Sequence, residues 1–225
     1  MNNTAPSSDA LLLKAYEALG AEEKLIELAK GQTVEQVYRF IQNGERKKIS
    51  KFVYNRFYRR YLMPFDEVDT DFNSGFAQMA VCCLMIEAME SFRHGWEDTN
   101  KLKDNHNKKI KGGTIFGDFF QHYPEFIAFK DLGDEFYDSI RCGILHQAET
   151  RNGWRLVRED KYPLLNKEKR IIHSARFRYR MKTSLRKYCR ELEENDGVWS
   201  LFKTKMAYVI QNCQKGEMLG KSTNL

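Results

Sequence analysis

Phe136-Tyr137-Asp138-Ser139-Ile140-Arg141-Cys142-Gly143-Ile144-Leu145-His146-Gln147-Ala148 places an apolar residue at every fourth position, and that spacing predicts an amphipathic helix. At about 100° per residue, Phe136, Ile140, Ile144 and Ala148 form one stripe, which is the core face. Gly143 lies beside the stripe, where a second backbone can approach closely. Arg141 and His146 leave the helix on either side, about 140° apart. The face between them, away from the stripe, holds Asp138, Cys142, Leu145 and Glu149, a polar rim around an apolar middle. Such a face suits a second protein surface. Two copies meeting about a two-fold axis would bring the Arg and His of each chain across a shared cleft.

The chemistry of the pair is specific. A guanidinium carries fixed charge and a fork of donors matched to phosphate oxygens. A histidine with an unperturbed pKa of about 6.5 both takes and gives a proton near neutrality. Because the ribose 2′-hydroxyl supplies its own nucleophile, these two groups are the minimum equipment for cleaving RNA without a metal. An arbitrary Arg-x4-His is an ordinary surface pair, so the surrounding sequence decides.

That sequence, from Phe136 through Thr150 and on to Gly153-Trp154, closely resembles the HEPN family, especially a branch found in bacterial mobile and defence loci. The resemblance extends upstream through Arg60-Tyr61-Leu62-Met63-Pro64, Gly75-Phe76-Ala77-Gln78-Met79-Ala80, Leu84-Met85-Ile86-Glu87 and Ser91-Phe92-Arg93-His94-Gly95, spanning about residues 35–213. It implies a helical bundle and a homodimer joined through the motif helix. Arg141 and His146 would be the catalytic pair of a metal-independent ribonuclease leaving 2′,3′-cyclic phosphate ends. It also implies a toxin or anti-phage effector, with an antitoxin or defence-system partner. One residue departs from the pattern: active members often carry Asn, Asp or His directly after the arginine, and Cys142 stands here. A catalytically silent module binding RNA, a nucleotide or a partner protein is therefore the alternative. A purely packing role for the face around Cys142 and Leu145 is the third.

Composition sets the frame. The chain has 225 residues, 42% hydrophobic and 30% charged, enough to bury a sizeable core and too apolar for disorder. No run of eighteen apolar residues and no basic-then-apolar leader is seen, so a cytoplasmic protein without a membrane segment is expected. Five cysteines without a Cys-x-x-Cys pair predict reduced thiols and no zinc site; no metal or cofactor is expected.

The net charge of +6 is unevenly spread. Arg46 to Arg60 holds seven Lys or Arg and no acid, interleaved with Phe52, Tyr54, Phe57 and Tyr58 in a helix that Pro64 should end. Lys167 to Arg190 holds ten Lys or Arg against Glu168 alone. A solvated basic face is the ordinary reading of each. Together they favour a polyanion, RNA, as partner, with Arg56, Arg60, Arg151, Arg155, Arg178 and Lys182 as candidate phosphate contacts.

The remaining pattern is helical nearly throughout. Helices are expected over residues 9–30, 33–42, 71–94, from Ser174, and over 198–213. The aromatics Phe116, Phe119, Phe120, Tyr123, Phe126 and Phe129 read as core, with base stacking as the other possibility. Residues 100–113 read as a mobile loop, Asn152-Gly153 as the end of the motif helix, and His106 and His122 as surface residues. Glu87 projects from an apolar stripe and needs a partner, for which Arg141 is favoured. Arg141 and His146 are thus the catalytic candidates, with Glu87, Cys142 and Glu149 in support. Trp154–Val157 and Lys169–Ile172 should pair as a hairpin around Tyr162-Pro163. The expected fold is all-α: a HEPN-like helical bundle (35–215) with a small β-hairpin after the motif helix, an N-terminal helical extension (1–34) and a flexible tail (216–225).

Overall fold

The computed structural model describes residues 6–66, 74–104 and 106–214. The expected tail lies outside them. Short α1 (Ser8–Glu17) and α2 (Ala21–Lys24) precede a two-stranded hairpin, β1 (Glu27–Ala29) and β2 (Gln32–Thr33). The single helix expected over 9–30 is thus broken: Gly20 separates α1 from α2, and Gly31, at φ +70°, turns the hairpin. Thr33 then opens α3 (Val34–Gln42) with a capping box, its hydroxyl accepting from the Gln36 N–H at 3.3 Å while the Gln36 side chain accepts from the Thr33 N–H at 3.2 Å. Leu12 and Ala15 of α1 are buried in the common core, so the N-terminal extension is packed into the bundle.

Helix α4 (Arg46–Phe57) does not stop ahead of Pro64. It widens into a π-helical turn, Tyr58–Leu62, and continues as α5 (Met63–Asp66). A π-turn displaces the backbone just before the proline ring, where a regular helix would clash. Next comes α6 (Gly75–His94), capped by Gly95 in the left-handed region at φ +68°. It is the one helix among the described residues long and apolar enough to cross a membrane, and 56% of that stretch is buried inside the fold, against α7, α10 and α11. Central placement explains its composition.

Helix α7 (Gly112–His122) starts on Gly112-Gly113, inside the span expected as a loop; a six-residue 3-10 turn opened by Pro124 follows. A side chain at Gly113 would collide with Asp134, and one at Gly133, which opens α8 (Gly133–Phe136), would sit 2.5 Å from the Gly113 carbonyl. The two backbones touch because neither has a Cβ. Phe116, Phe119, Phe120, Tyr123, Phe126 and Phe129 are all buried, as core. Phe136 joins them, 5.1 Å from Phe120 and stacked 5.4 Å from Phe177, so the motif helix is rooted in an aromatic cluster. The motif continues as a π-turn, Tyr137–Arg141, and α9 (Cys142–Gln147).

After it come β3 (Arg155–Val157), β4 (Leu165–Asn166) and β5 (Ile171–His173), ordered β3-β5-β4. The expected hairpin between Trp154–Val157 and Lys169–Ile172 does not form: β3 runs parallel to β5, and the antiparallel partner of β5 is β4. The tight turn lies at Lys167–Arg170, where Asn166 accepts from the Lys169 N–H at 2.9 Å and Arg170 takes φ +50°, and not at Tyr162-Pro163. Buried Ile171 and Ile172 make β5 the central strand. Finally α10 (Ser174–Glu194) buries Phe177, Met181, Leu185, Tyr188 and Leu192, and α11 (Asp196–Gln211) buries Trp199, Phe202, Met206 and Ile210, with Val209 half-exposed.

Asp66 ties α5 to α10. It accepts from Lys182 at 3.0 Å, from Tyr58 at 2.8 Å and from Arg178. Burial alone would raise its pKa, but the hydrogen bonds from Arg178, Tyr58 and Lys182 hold it down to about 2. A carboxyl depressed in the folded state contributes fully above the unfolded value of about 4, and loses that contribution as pH falls toward 2. Acid unfolding of the wild type should therefore steepen below about pH 4. Asp66→Asn should weaken that component in thermal melts, and an unaltered acid profile would contradict it.

Candidate functional site

The motif helix is shaped by two local devices. In its π-turn the Cys142 N–H donates to the Tyr137 carbonyl, one residue further back than in an α-helix. At its end, Ala148 takes a left-handed conformation, φ +55°, so the helix stops at Gln147 and not at Asn152-Gly153. Ala148 is consequently exposed, and the buried stripe consists of Phe136, Ile140 and Ile144.

Gly143 makes the reversal possible. A Cβ there would lie 2.5 Å from the Glu149 carbonyl oxygen and 3.3 Å from the Thr150 Cα and the Arg151 Cγ. The close-approaching backbone anticipated from the sequence is thus the chain's own return segment. It is fastened by Arg151 N–H to the Ser139 carbonyl at 2.9 Å, Asn152 Nδ2 to Ser139 Oγ at 2.9 Å, and Trp154 Nε1 to Glu135 Oε1 at 3.0 Å. Gly143→Ala should lower stability by about 1–3 kcal/mol through overpacking against backbone. A denaturation midpoint equal to wild type would show that the return segment yields freely.

Arg141 faces α6. Its Nε donates to Glu87 Oε1 at 2.8 Å and its Nη2 to Oε2 at 3.3 Å, the paired geometry that fixes a guanidinium in direction as well as charge. The two side chains are only 15% and 16% exposed. The Tyr137 ring lies 5.4 Å from the guanidinium carbon. Gly112 leaves room for that ring, since any Cβ there would overlap it. Burial works to lower the Arg141 pKa, but the Glu87 hydrogen bond and charge raise it overall, so the cation is permanent. Behind them, burial pushes the Cys83 thiol well up, with Cys82 and Glu87 adding to the effect, so it stays a protonated core group. Cys142, half-buried, neighbours this cluster.

His146 lies on the opposite flank, exposed in the last turn of α9. Asp138, Leu145 and Glu149 are exposed on the face between, with Leu145 at 37%. Glu149 is occupied locally, accepting from the Thr150 N–H at 3.1 Å. One chain therefore clamps Arg141 inward and offers His146 outward.

The basic candidates separate into three places. Arg151 lies over the motif helix, its Nε donating to Gln147 at 3.0 Å, and Arg155 is exposed on β3. Arg178 and Lys182 are held by Asp66. Arg56 and Arg60 turn toward the Leu28 carbonyl, away from the motif. Of the sequence candidates, the fold joins Glu87 and Arg141 directly, while Arg151 lies on the return segment against Gly143 and Gln147.

Several groups were not visible from spacing. Tyr137 beside Arg141 depends on the π-turn, and the Ser139–Asn152 brace on the left-handed Ala148. His122 is half-buried and paired with Glu191 at 3.1 Å, not a free surface residue. His173 is buried and caps α10, its Nδ1 accepting from the Arg176 N–H at 3.2 Å; burial, then Arg176, lowers its pKa, so it is neutral. Among the described residues, no group of three or more His, Cys, Asp or Glu side chains is arranged to hold a metal ion.

No protein-family model, curated protein or solved structure matches this chain.

Proposed function

We propose that this protein is a metal-independent endoribonuclease of the HEPN type, working in the cytoplasm as a homodimer, in a toxin or phage-defence role. The observation that carries the reading is the Glu87-clamped Arg141 on a helix whose last turn presents His146 to solvent. A carboxylate behind a guanidinium is how a site fixes a cation for a phosphate. The His146 ring is exposed, where a substrate can reach it. Their divergence by about 140° is the reason for a dimer. Exposed Leu145 supplies the apolar centre of the face that would pair, and the partner's His146 would complete each cleft.

In the reaction, one His146 accepts the 2′-hydroxyl proton while O2′ bonds to phosphorus. The P–O5′ bond breaks, and the partner's His146 delivers a proton to the departing 5′-oxygen. Arg141 holds the charge that builds on the non-bridging oxygens. Products are a 2′,3′-cyclic phosphate and a 5′-hydroxyl. The test is to incubate purified protein with RNA in excess chelator and identify the new ends. Cleavage with cyclic-phosphate ends is expected; no cleavage, or 3′-hydroxyl ends, overturns the proposal.

A further inference from the structure

A second charged site lies between α4, α6 and α11. Arg56 and Arg60, one turn apart where α4 enters its π-turn, both donate to the Leu28 carbonyl, Arg60 at 2.8 Å. From the other side α11 brings Lys205, whose Nζ donates to the carbonyls of Trp96 at 3.0 Å and Glu97 at 2.9 Å, just past the α6 cap. Between the three cations is a pocket of about 190 Å³, walled by Phe57 and Phe92 and edged by Ser91.

None of the residues lining it is a carboxylate, and among the described residues no acid forms an ion pair with Arg56, Arg60 or Lys205. Asp98 and Glu97 act on Lys205 at longer range, from the side of an adjoining cleft. Burial, then the charge of Arg60, brings Arg56 down to about 10, and burial lowers Lys205 as well. Two partly desolvated cations, Arg56 and Lys205, with exposed Arg60 beside them at an apolar-walled space, are an unfavourable arrangement unless an anion joins them. Donors remain for it. A guanidinium has five N–H groups and an ammonium three, so the carbonyl contacts leave several with no acceptor among the described residues.

We infer that this pocket binds a phosphoryl group, the compact dianion whose charge and acceptor oxygens match two arginines and a lysine. Its volume falls below the roughly 300 Å³ at which whole small-molecule ligands are accommodated, so a phosphate enters and any attached group stays outside. The source is either free orthophosphate or the monoester end of a nucleotide. The site is separate from Arg141 and His146 and stands whether or not the chain cleaves RNA.

The test is calorimetric titration of the full chain with inorganic phosphate and with adenosine 5′-monophosphate, at ionic strength fixed by chloride. Saturable binding is expected, weakened at least tenfold in Arg60→Gln and Lys205→Gln and unchanged in Lys51→Gln, an exposed neighbour on α4. Tighter binding of the nucleotide assigns the monoester source, and equal or weaker binding assigns orthophosphate. Arg60 is exposed, so Arg60→Gln keeps the fold and decides the matter even if Lys205→Gln does not fold. Absence of saturable binding of both ligands at millimolar concentration, or undiminished binding in folded Arg60→Gln, overturns the inference.

Discussion

On the proposed mechanism, His146→Ala should fold and associate like the wild type and lose RNA cleavage by about 10²–10⁴-fold, the range that a positioned general acid or base contributes. The structural side of that expectation follows from placement. His146 is exposed in the last turn of α9 and removes nothing from the core when truncated. Surface substitutions of this kind change stability by no more than about 0.5 kcal/mol. Arg141→Ala is a poorer first experiment, because it strands Glu87 and mixes a folding defect with a chemical one. The measurement is a time course on RNA in chelator, with melting and mass determined on the same sample. Full cleavage by folded, dimeric His146→Ala would remove the imidazole from the mechanism and leave the face around Leu145 as a packing surface.

What the sequence discloses about this fold depends on periodicity. Where apolar residues recur at helical spacing with ordinary caps, as in α3 with Thr33 and Gln36 or α10 with Phe177 through Leu192, element and buried face are both readable. The failures have particular causes. Ala148 ends the motif helix in a conformation that propensity reserves for Gly or Asn, so the pattern runs past the true stop. Pro64 reads as a terminus because no spacing announces the π-turn ahead of it. The parallel pairing of β3 with β5 is a non-local choice, set by burying Ile171 and Ile172 in the central strand, and local turn residues point elsewhere. At the site, the Glu87–Arg141 pair is legible because an acid on an apolar stripe demands a partner. Arg56 belongs by sequence to a basic run, yet it is turned inward, since a run of charges does not say which members fold back onto a carbonyl.

Glu87→Ala is expected to damage the protein twice, and the two effects are separable. Removing one member of an ion pair costs about 3–5 kcal/mol when buried and about 0–1 kcal/mol when exposed. With side chains 15% and 16% exposed, the Glu87–Arg141 pair falls between, and about 2–3 kcal/mol of stability should go. Cleavage should fall by about 10²-fold, because an Arg141 without its carboxylate no longer holds one direction at the phosphate. Glu87→Gln keeps one acceptor for Arg141 in nearly the same shape, so it should recover part of both losses. The double variant Glu87→Ala, Arg141→Ala separates the causes. If the stability loss comes from an uncompensated buried charge, deleting Arg141 as well restores stability toward wild type, and the coupling in the cycle is large. Activity should not recover with it, because the cation itself is gone. Should the double variant be no more stable than Glu87→Ala, then Glu87 holds the motif helix to α6 by packing rather than by charge. A Glu87→Ala protein that lost stability but kept full turnover would show that the carboxylate does not position Arg141 for chemistry. The kcat of the Gln variant is the sharpest readout, since a purely structural role for Glu87 predicts that any folded fraction turns over at the wild-type rate.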